Sequence, residues 1–155
     1  MDRATLILLD SLQKDCRRSI AELADEAGLS LSSCHRRLRS LEEKGYIEGY
    51  VARLAPQALG FDLHAFVEIS LNSQSQESMD TFERAIARFD DILECYLMSG
   101  GADYMLRIAA TSFGDFDRIH RNCLARLPGV SAMRTSFSIR RIKAWQGYPL
   151  MHLRD

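Results

Sequence analysis

The chain has 155 residues, room for one ordinary domain or two small ones. Hydrophobic residues make up 46% and charged residues 26%, near the globular average, which excludes wholesale disorder and collagen-like or coiled-coil repeats. Twenty Lys+Arg against 21 Asp+Glu leave a net charge of −1, so a nucleic-acid partner must be met by a local basic patch. The apolar run Leu6 to Leu9 is far too short for a signal segment or a membrane span, and no membrane partner is expected. Cys16, Cys34, Cys95 and Cys123 lie far apart, with no CxxC and no clustered histidines. That spacing argues against zinc, and neither a metal nor a cofactor is expected. Four reduced, mostly buried thiols in a cytoplasmic protein are the expectation.

The first fifty residues predict three short helices and a hairpin stub. Asp2 caps a helix whose Leu6, Leu9 and Leu12 form one apolar stripe. Ser19 caps a second helix, with Glu22 three residues later completing a capping box and Ile20, Leu23, Ala24 and Ala27 on its buried face. Gly28 supplies a sharp turn, Ser30 caps a third helix running to Lys44, and Gly45 stops it. Short helix, glycine turn, longer helix is the helix-turn-helix layout. Residues 46–52 alternate apolar and polar, as a small strand or wing would.

Pro56 and Gly60 bracket a short connection at residues 55–60, between a first domain at 1–54 and a second at 61–143. The second half alternates between the two hydrophobic periods: strand at 61–71, helix with Phe82, Ile86 and Phe89, strands at 92–98 and 103–110 around Gly100-Gly101, helix from Phe113 to Leu127, and a last strand at 130–142. The order βαββαβ is a ferredoxin-like split unit, so the class is α+β. A four-stranded sheet with an open face and edges predicts dimerisation through this half. The tail, 144–155, carries Trp145, Tyr148, Leu150, Met151 and Leu153, and is expected to pack on a sheet or a neighbouring subunit; a partly ordered terminus is the alternative.

Along the third helix, Cys34, Leu38 and Leu41 recur at helical spacing and face the other two helices, Cys34 as a small core hydrophobe. Ser32, Ser33, Arg36 and Ser40 then point away, with His35, Arg37 and Arg39 on the flanks. Ser30 to Leu41 holds three arginines, one histidine and no acid. Helix N-terminal amides and serines hold phosphate, and arginine bonds guanine bidentately, so this face suits a major groove of double-stranded DNA. A plain solvated face is the alternative. Arg37, close to the buried stripe, is expected to pair internally, with Asp25 and Glu26 of the second helix available. His35 is open between phosphate contact and plain surface.

The segment from Leu29 through the third helix to Gly45-Tyr-Ile-Glu-Gly-Tyr50 resembles the recognition helix and wing of the Lrp/AsnC transcription regulators. The resemblance continues through Leu59-Gly60, Cys95-Tyr-Leu-Met-Ser-Gly-Gly-Ala-Asp-Tyr-Met-Leu-Arg107, Leu127-Pro-Gly-Val130 and Arg134-Thr135, nearly the whole chain in the family's order. It implies an N-terminal winged helix-turn-helix DNA-binding domain and a C-terminal effector domain of ferredoxin-like fold. It also implies a homodimer that often assembles further into octamers, and a small amino-acid effector bound between subunits. Carried over by position, the effector site falls on Ser99, Gly100, Gly101, Ala102 and Asp103, facing Met133, Thr135 and Ser136. Backbone amides at the glycines would take an α-carboxylate and Asp103 an α-ammonium. From spacing alone Gly100-Gly101 reads as a hairpin turn, and only the resemblance raises the site reading beside it.

The sequence departs from the family's usual glycine–acid–aromatic–acid pattern: Gly101 stands where an acid is common and Ala102 where an aromatic is common. That departure points to a neutral, fairly bulky amino acid rather than a cationic one. A symmetric dimer would read a two-fold or pseudo-palindromic site. Two other functions compete. One is a decarboxylase of the sirohaem type on the same frame, which would want convergent histidines, whereas His64 and His120 are isolated. The other is a DNA-organising protein that ignores small ligands. No P-loop, metal cluster or nucleophile–base pair is present in the sequence, so no catalytic residue is assigned.

Overall fold

The computed structural model describes residues 1–150. Contacts group the chain into two compact units, one from Met1–Arg53 together with the tail from Ile142, the other Leu54–Arg141.

The first unit begins with α1 (Arg3–Lys14), capped by Asp2, whose side chain accepts from the Thr5 amide at 2.9 Å. Leu6, Leu8 and Leu12 bury its inner face. Leu8, at 0% exposure, takes the place expected for Leu9, which is only half-buried: the core lies where an i, i+4 pair aims. Helix α2 (Ile20–Ala27) carries the predicted capping box, Ser19 accepting from the Glu22 amide and Glu22 from the Ser19 amide. Its buried face narrows to Leu23 and Ala24; Ile20, in the first turn, stays exposed. Gly28 then turns the chain in the left-handed region at φ 65°, where a Cβ is penalised. Helix α3 (Leu31–Glu43) starts at Ser30, whose hydroxyl accepts from the Ser33 amide, and buries Cys34, Leu38 and Leu41 as predicted. Each fully buried leucine here contributes ~1.5–3 kcal/mol.

Residues 46–52 form no strand. The alternation is real, but Tyr50 and Val51 are exposed and no second strand among the described residues lies alongside, so the ladder a hairpin needs is missing.

In the second unit, a single 3-10 turn at Gln57–Leu59 leads into β1 (Leu63–Leu71), α4 (Gln76–Ile86), β2 (Ile92–Leu97), β3 (Tyr104–Ala110), α5 (Phe113–Asn122) and β4 (Val130–Ser138). The sheet order is β2-β3-β1-β4 with every neighbouring pair antiparallel, the ferredoxin-like arrangement. Two elements stop earlier than their sequence patterns. Helix α5 ends at Asn122 and a 3-10 turn carries Leu124 into the core, because Pro128 lies too close for another α-helical turn. Strand β4 ends at Ser138 rather than at 142: its pairing with β1 stops at His64–Ser138, one residue from the start of β1 at Leu63, so residues 139–142 have almost no strand left to pair with. Phe89 lies past the end of α4 and is half-buried against the core.

Alternation along the strands sends Ala65, Val67, Ile69 and Leu71 of β1 and Tyr104, Leu106, Ile108 and Ala110 of β3 to the helix side, where they meet Phe82, Ile86, Ile119 and Cys123. The other face carries Phe66, Glu68, Glu94, Tyr96, Met105, Arg107, Arg134 and Ser136, and no helix or strand among the described residues covers it. Phe66 and Tyr96 are 42% and 54% exposed on it.

The tail departs from its expected place on a sheet. The Gln13 side chain of α1 accepts from the Tyr148 amide and donates to the Tyr148 carbonyl, both at 2.9 Å, while Trp145 and Tyr148 meet edge to face. Met151 and Leu153 lie outside the described residues.

Candidate functional site

The outer face of α3 is built by its inner one. With Cys34, Leu38 and Leu41 buried, Ser32, His35, Arg36 and Arg39 are exposed, and Ser33 and Ser40 half-buried at its borders. The Ser30 cap satisfies the Ser33 amide, leaving the first-turn amides of Leu31 and Ser32 without an intrahelical acceptor. The Ser30 and Ser32 hydroxyls stand 3.3 Å apart at that end. Two donors, two hydroxyls and the positive end of the helix dipole form an anion-receptive tip.

The three arginines of α3 have three different environments. Arg36 has no ion pair or hydrogen bond among the described residues. Arg39 pairs with Glu43 one turn on, at 2.9 Å and with both side chains exposed, a contact worth only ~0.3–0.5 kcal/mol and easily exchanged for a phosphate. Arg37 turns inward: its Nη1 donates to Asp2 at 2.5 Å and to the Thr5 hydroxyl at 2.9 Å. Internal pairing was expected for it, but with other partners. Glu26 instead receives Ser11 and Arg18, and Asp2 is offered by the capped end of α1. Hydrogen bonds from Thr5 and from Arg37 hold the Asp2 carboxyl well below the usual carboxylate range. Arg37 therefore fixes α3 to α1 and is not free to read a base.

One contact beside α3 had no sequence signal. The Tyr50 hydroxyl donates to Glu42 at 2.8 Å, tying the segment after Gly49 to the helix. Partial burial and this carboxylate push the Tyr50 phenol up to about 12. A cavity of about 410 Å³ opens next to it, lined among others by Leu12, Arg18, His35 and Arg39.

In the second unit, Ser99, Gly100 and Gly101 are exposed in the loop between β2 and β3, with Ala102 and Asp103 half-buried. The Met98 amide closes the loop on the Asp103 carbonyl at 2.8 Å. Neither Gly100 nor Gly101 has a positive φ, and a Cβ on either would meet open space. Nothing among the described residues requires glycine there.

Asp103 is more committed than a free ligand group. Its Oδ2 accepts from the Leu71 amide and its Oδ1 from Gln74, both at 2.7 Å, while its own amide donates to the Ile69 carbonyl at 2.9 Å. The β1–β3 ladder ends at the Ile69–Tyr104 pair, and a bulge shifts β1 at Ser70/Leu71. The carboxylate thus supplies the acceptor that a longer β3 would have supplied.

The three β4 candidates separate. Met133 and Thr135 pair with Ile69 and Val67, whose side chains enter the helix-side core, whereas Ser136 pairs with Phe66 on the open face. Adjacent strand residues point to opposite faces, so Thr135 and Ser136 cannot line one pocket. Strand β1 also stands between β4 and β3, so these residues and the 99–103 loop are not brought together within one chain.

The cysteines are all free: Cys34 and Cys123 buried, Cys95 half-buried and Cys16 exposed, against an expectation of mostly buried thiols. Burial pushes Cys95 and Cys123 up to about 11, so neither is a thiolate at neutral pH. Among the described residues no group of His, Cys, Asp and Glu is placed to hold a metal ion, and no helix is long and apolar enough to cross a membrane.

Comparison with known proteins assigns this architecture. Residues 1–48 match the winged helix-turn-helix DNA-binding family model, and residues 64–147 match the Lrp/AsnC ligand binding domain. The chain is 35% identical over 150 residues to the Bkd operon transcriptional regulator of Pseudomonas aeruginosa, covering 97% of this chain and 98% of that protein. It is 38% identical over 143 residues to the leucine-responsive regulatory protein of Escherichia coli, covering 92% and 87%. Its fold superposes with a TM-score of 0.93 on a transcriptional regulator of Neisseria meningitidis solved as a complex with L-Met, at 29% identity and 99% coverage of both chains. The chain belongs to the Lrp/AsnC family of transcriptional regulators, joining a winged helix-turn-helix DNA-binding domain to a ligand-binding domain.

Proposed function

We propose that this regulator binds a two-fold or pseudo-palindromic operator as a homodimer and responds to a neutral amino acid. The observation that carries the DNA half is the face of α3: Arg36 has no partner among the described residues beside an anion-receptive helix tip, and no acid of α3 precedes Glu42. Arg36 reads a base edge. Arg39, Ser30, Ser32, Ser33 and His35 hold phosphates, Ser40 borders the contact, and Arg37 positions the helix. Dimerisation is favoured by the open sheet face, whose aromatic and apolar residues need a cover, and a second copy offers a self-complementary one. Further assembly to an octamer would use surface outside that face.

The effector half rests on the loop at Ser99–Ala102. Open space around Gly100 and Gly101 leaves their backbone within reach of a ligand or a second subunit, and the L-Met bound to the Neisseria regulator supports an amino acid as that ligand. Backbone amides of the loop take the carboxylate. Met133, Thr135 or Ser136, if they contribute, do so from the partner subunit. The protein works in the cytoplasm and carries out no reaction; the related proteins named above are regulators, which leaves the decarboxylase reading without support. A thermal-shift screen of the twenty amino acids tests the effector, since a ligand at 100 times its dissociation constant adds ~2.7 kcal/mol. A neutral amino acid should give the largest shift. No shift with any of them would favour a ligand-independent DNA-organising protein instead.

A further inference from the structure

The chain passes between the two units twice, once at Arg53–Leu54 and again at Arg141–Ile142. The second crossing ends in a contact of unusual specificity. One side-chain amide, that of Gln13, both accepts from and donates to the same backbone residue, Tyr148, at 2.9 Å each way. This is the two-point pairing a neighbouring strand would offer, made by a side chain. Gln13 is oriented for it by a second bond from its Nε2 to Asp10 at 3.2 Å, and Asp10 is held in turn by Lys14.

Gly147 is fitted to the same contact. Its φ of 101° is one that residues with a Cβ rarely adopt, and an added Cβ would fall 2.3 Å from Gln13 Oε1. Among the described residues, no other glycine would meet another atom that closely. A free tail would have no use for such a fit. Helix α1, which receives the tail at Gln13, also carries Asp2 and Thr5, the two residues that hold Arg37 of the recognition helix. One rigid helix therefore touches the tail at one end and the recognition helix at the other.

We propose that Gln13 and Gly147 are positioning residues for DNA recognition: they dock the segment 142–149 on α1 as a strap, a second tether between the ligand-binding and DNA-binding units. With one flexible connection the two DNA-binding units of a dimer sample many separations; a second tether restricts them, so the strap sets the half-site spacing the dimer accepts. The inference rests on the two-half-site reading above.

The test uses the full chain with Gln13→Ala and Gly147→Val. Duplexes selected by the wild-type protein from a random pool are compared with the same duplexes carrying about five extra base pairs, roughly half a helical turn, between the half-sites. Trp145, the chain's single tryptophan, reports the strap directly through its fluorescence and its quenching by acrylamide. The wild type should lose about tenfold or more in affinity on the insertion, because its half-sites leave the common face of the duplex. Both variants should show readier quenching of Trp145 and only about a two- to threefold loss on insertion, with affinity for a single half-site unchanged, a pattern that simple destabilisation does not produce. Variants that discriminate spacing like the wild type, or whose Trp145 quenching is unchanged, would overturn the strap. A wild type indifferent to spacing would overturn the two-half-site reading, and the strap's role with it.

Discussion

Arg37 and Asp2, 35 positions apart, meet at 2.5 Å and join the recognition helix to the capped end of the first helix. Asp2 serves two purposes there: its carboxylate caps α1 through the Thr5 amide and receives the guanidinium that fixes α3. Docking of the recognition helix is thereby tied to the N-terminal end of the domain.

Arg37→Ala should lower stability by about 1 kcal/mol and weaken binding to all DNA sequences alike, since both side chains are partly exposed and neither touches a base. Urea unfolding with a competition assay on selected and random duplexes measures both effects. A change of base preference at one position would return Arg37 to the reading face.

The same pair predicts a pH dependence. Asp2 has a folded value below its ordinary 3.8, so its contribution is complete above that value and is lost as the pH falls through the lowered folded value. Asp2→Asn keeps a capping side chain and removes the charge. The stability gap between wild type and Asp2→Asn should be constant from pH 7 to about 5 and close in stronger acid. A gap that widens in acid would contradict the assignment.

In the ligand-binding domain, Asp103→Ala leaves the Leu71 amide without its acceptor and should cost ~1–3 kcal/mol in unfolding experiments, with or without an effector. Loss of response in that variant is thus a poor test of the effector site. Gly101→Val is the cleaner one: open space surrounds the position and its φ is not positive, so stability should stay within ~0.5 kcal/mol while calorimetric binding of the effector is lost. Unaltered binding would move the site elsewhere.

On the open sheet face, Phe66→Glu sets a second carboxylate beside Glu68's row and removes an exposed apolar ring without touching the core. Sedimentation of the full chain should show dimers for the wild type and a shift toward monomers for the variant. A variant that remains fully dimeric would assign the interface to another surface.

What the sequence made legible was local. Caps at Asp2, Ser19 and Ser30, the left-handed turn at Gly28 and the stripe of Cys34, Leu38 and Leu41 are specified within four residues of one another, and each stands as read. The order of strands followed from alternation and chain connectivity. What escaped was set by partners remote in sequence. Nothing around Asp103 announces that the β1–β3 ladder ends at Ile69–Tyr104, two positions short of Leu71, and nothing around Gln13 announces Tyr148, 135 positions away. The alternation at 46–52 misled as to a strand for the same reason: period two is a property of a strand, but a strand also needs a neighbour, and none among the described residues lies there. On β4, the face of each residue was open until the register against β1 fixed it.

The measurement closest to the central claim is the affinity of the Arg36→Ala protein for duplexes selected by the wild type, and for the same duplexes changed one base pair at a time. The substitution should cost ~1–3 kcal/mol and abolish preference at one position in each half-site, while Arg39→Ala weakens every duplex about equally. Unchanged affinity and unchanged preference in Arg36→Ala would show that this face of α3 does not read DNA.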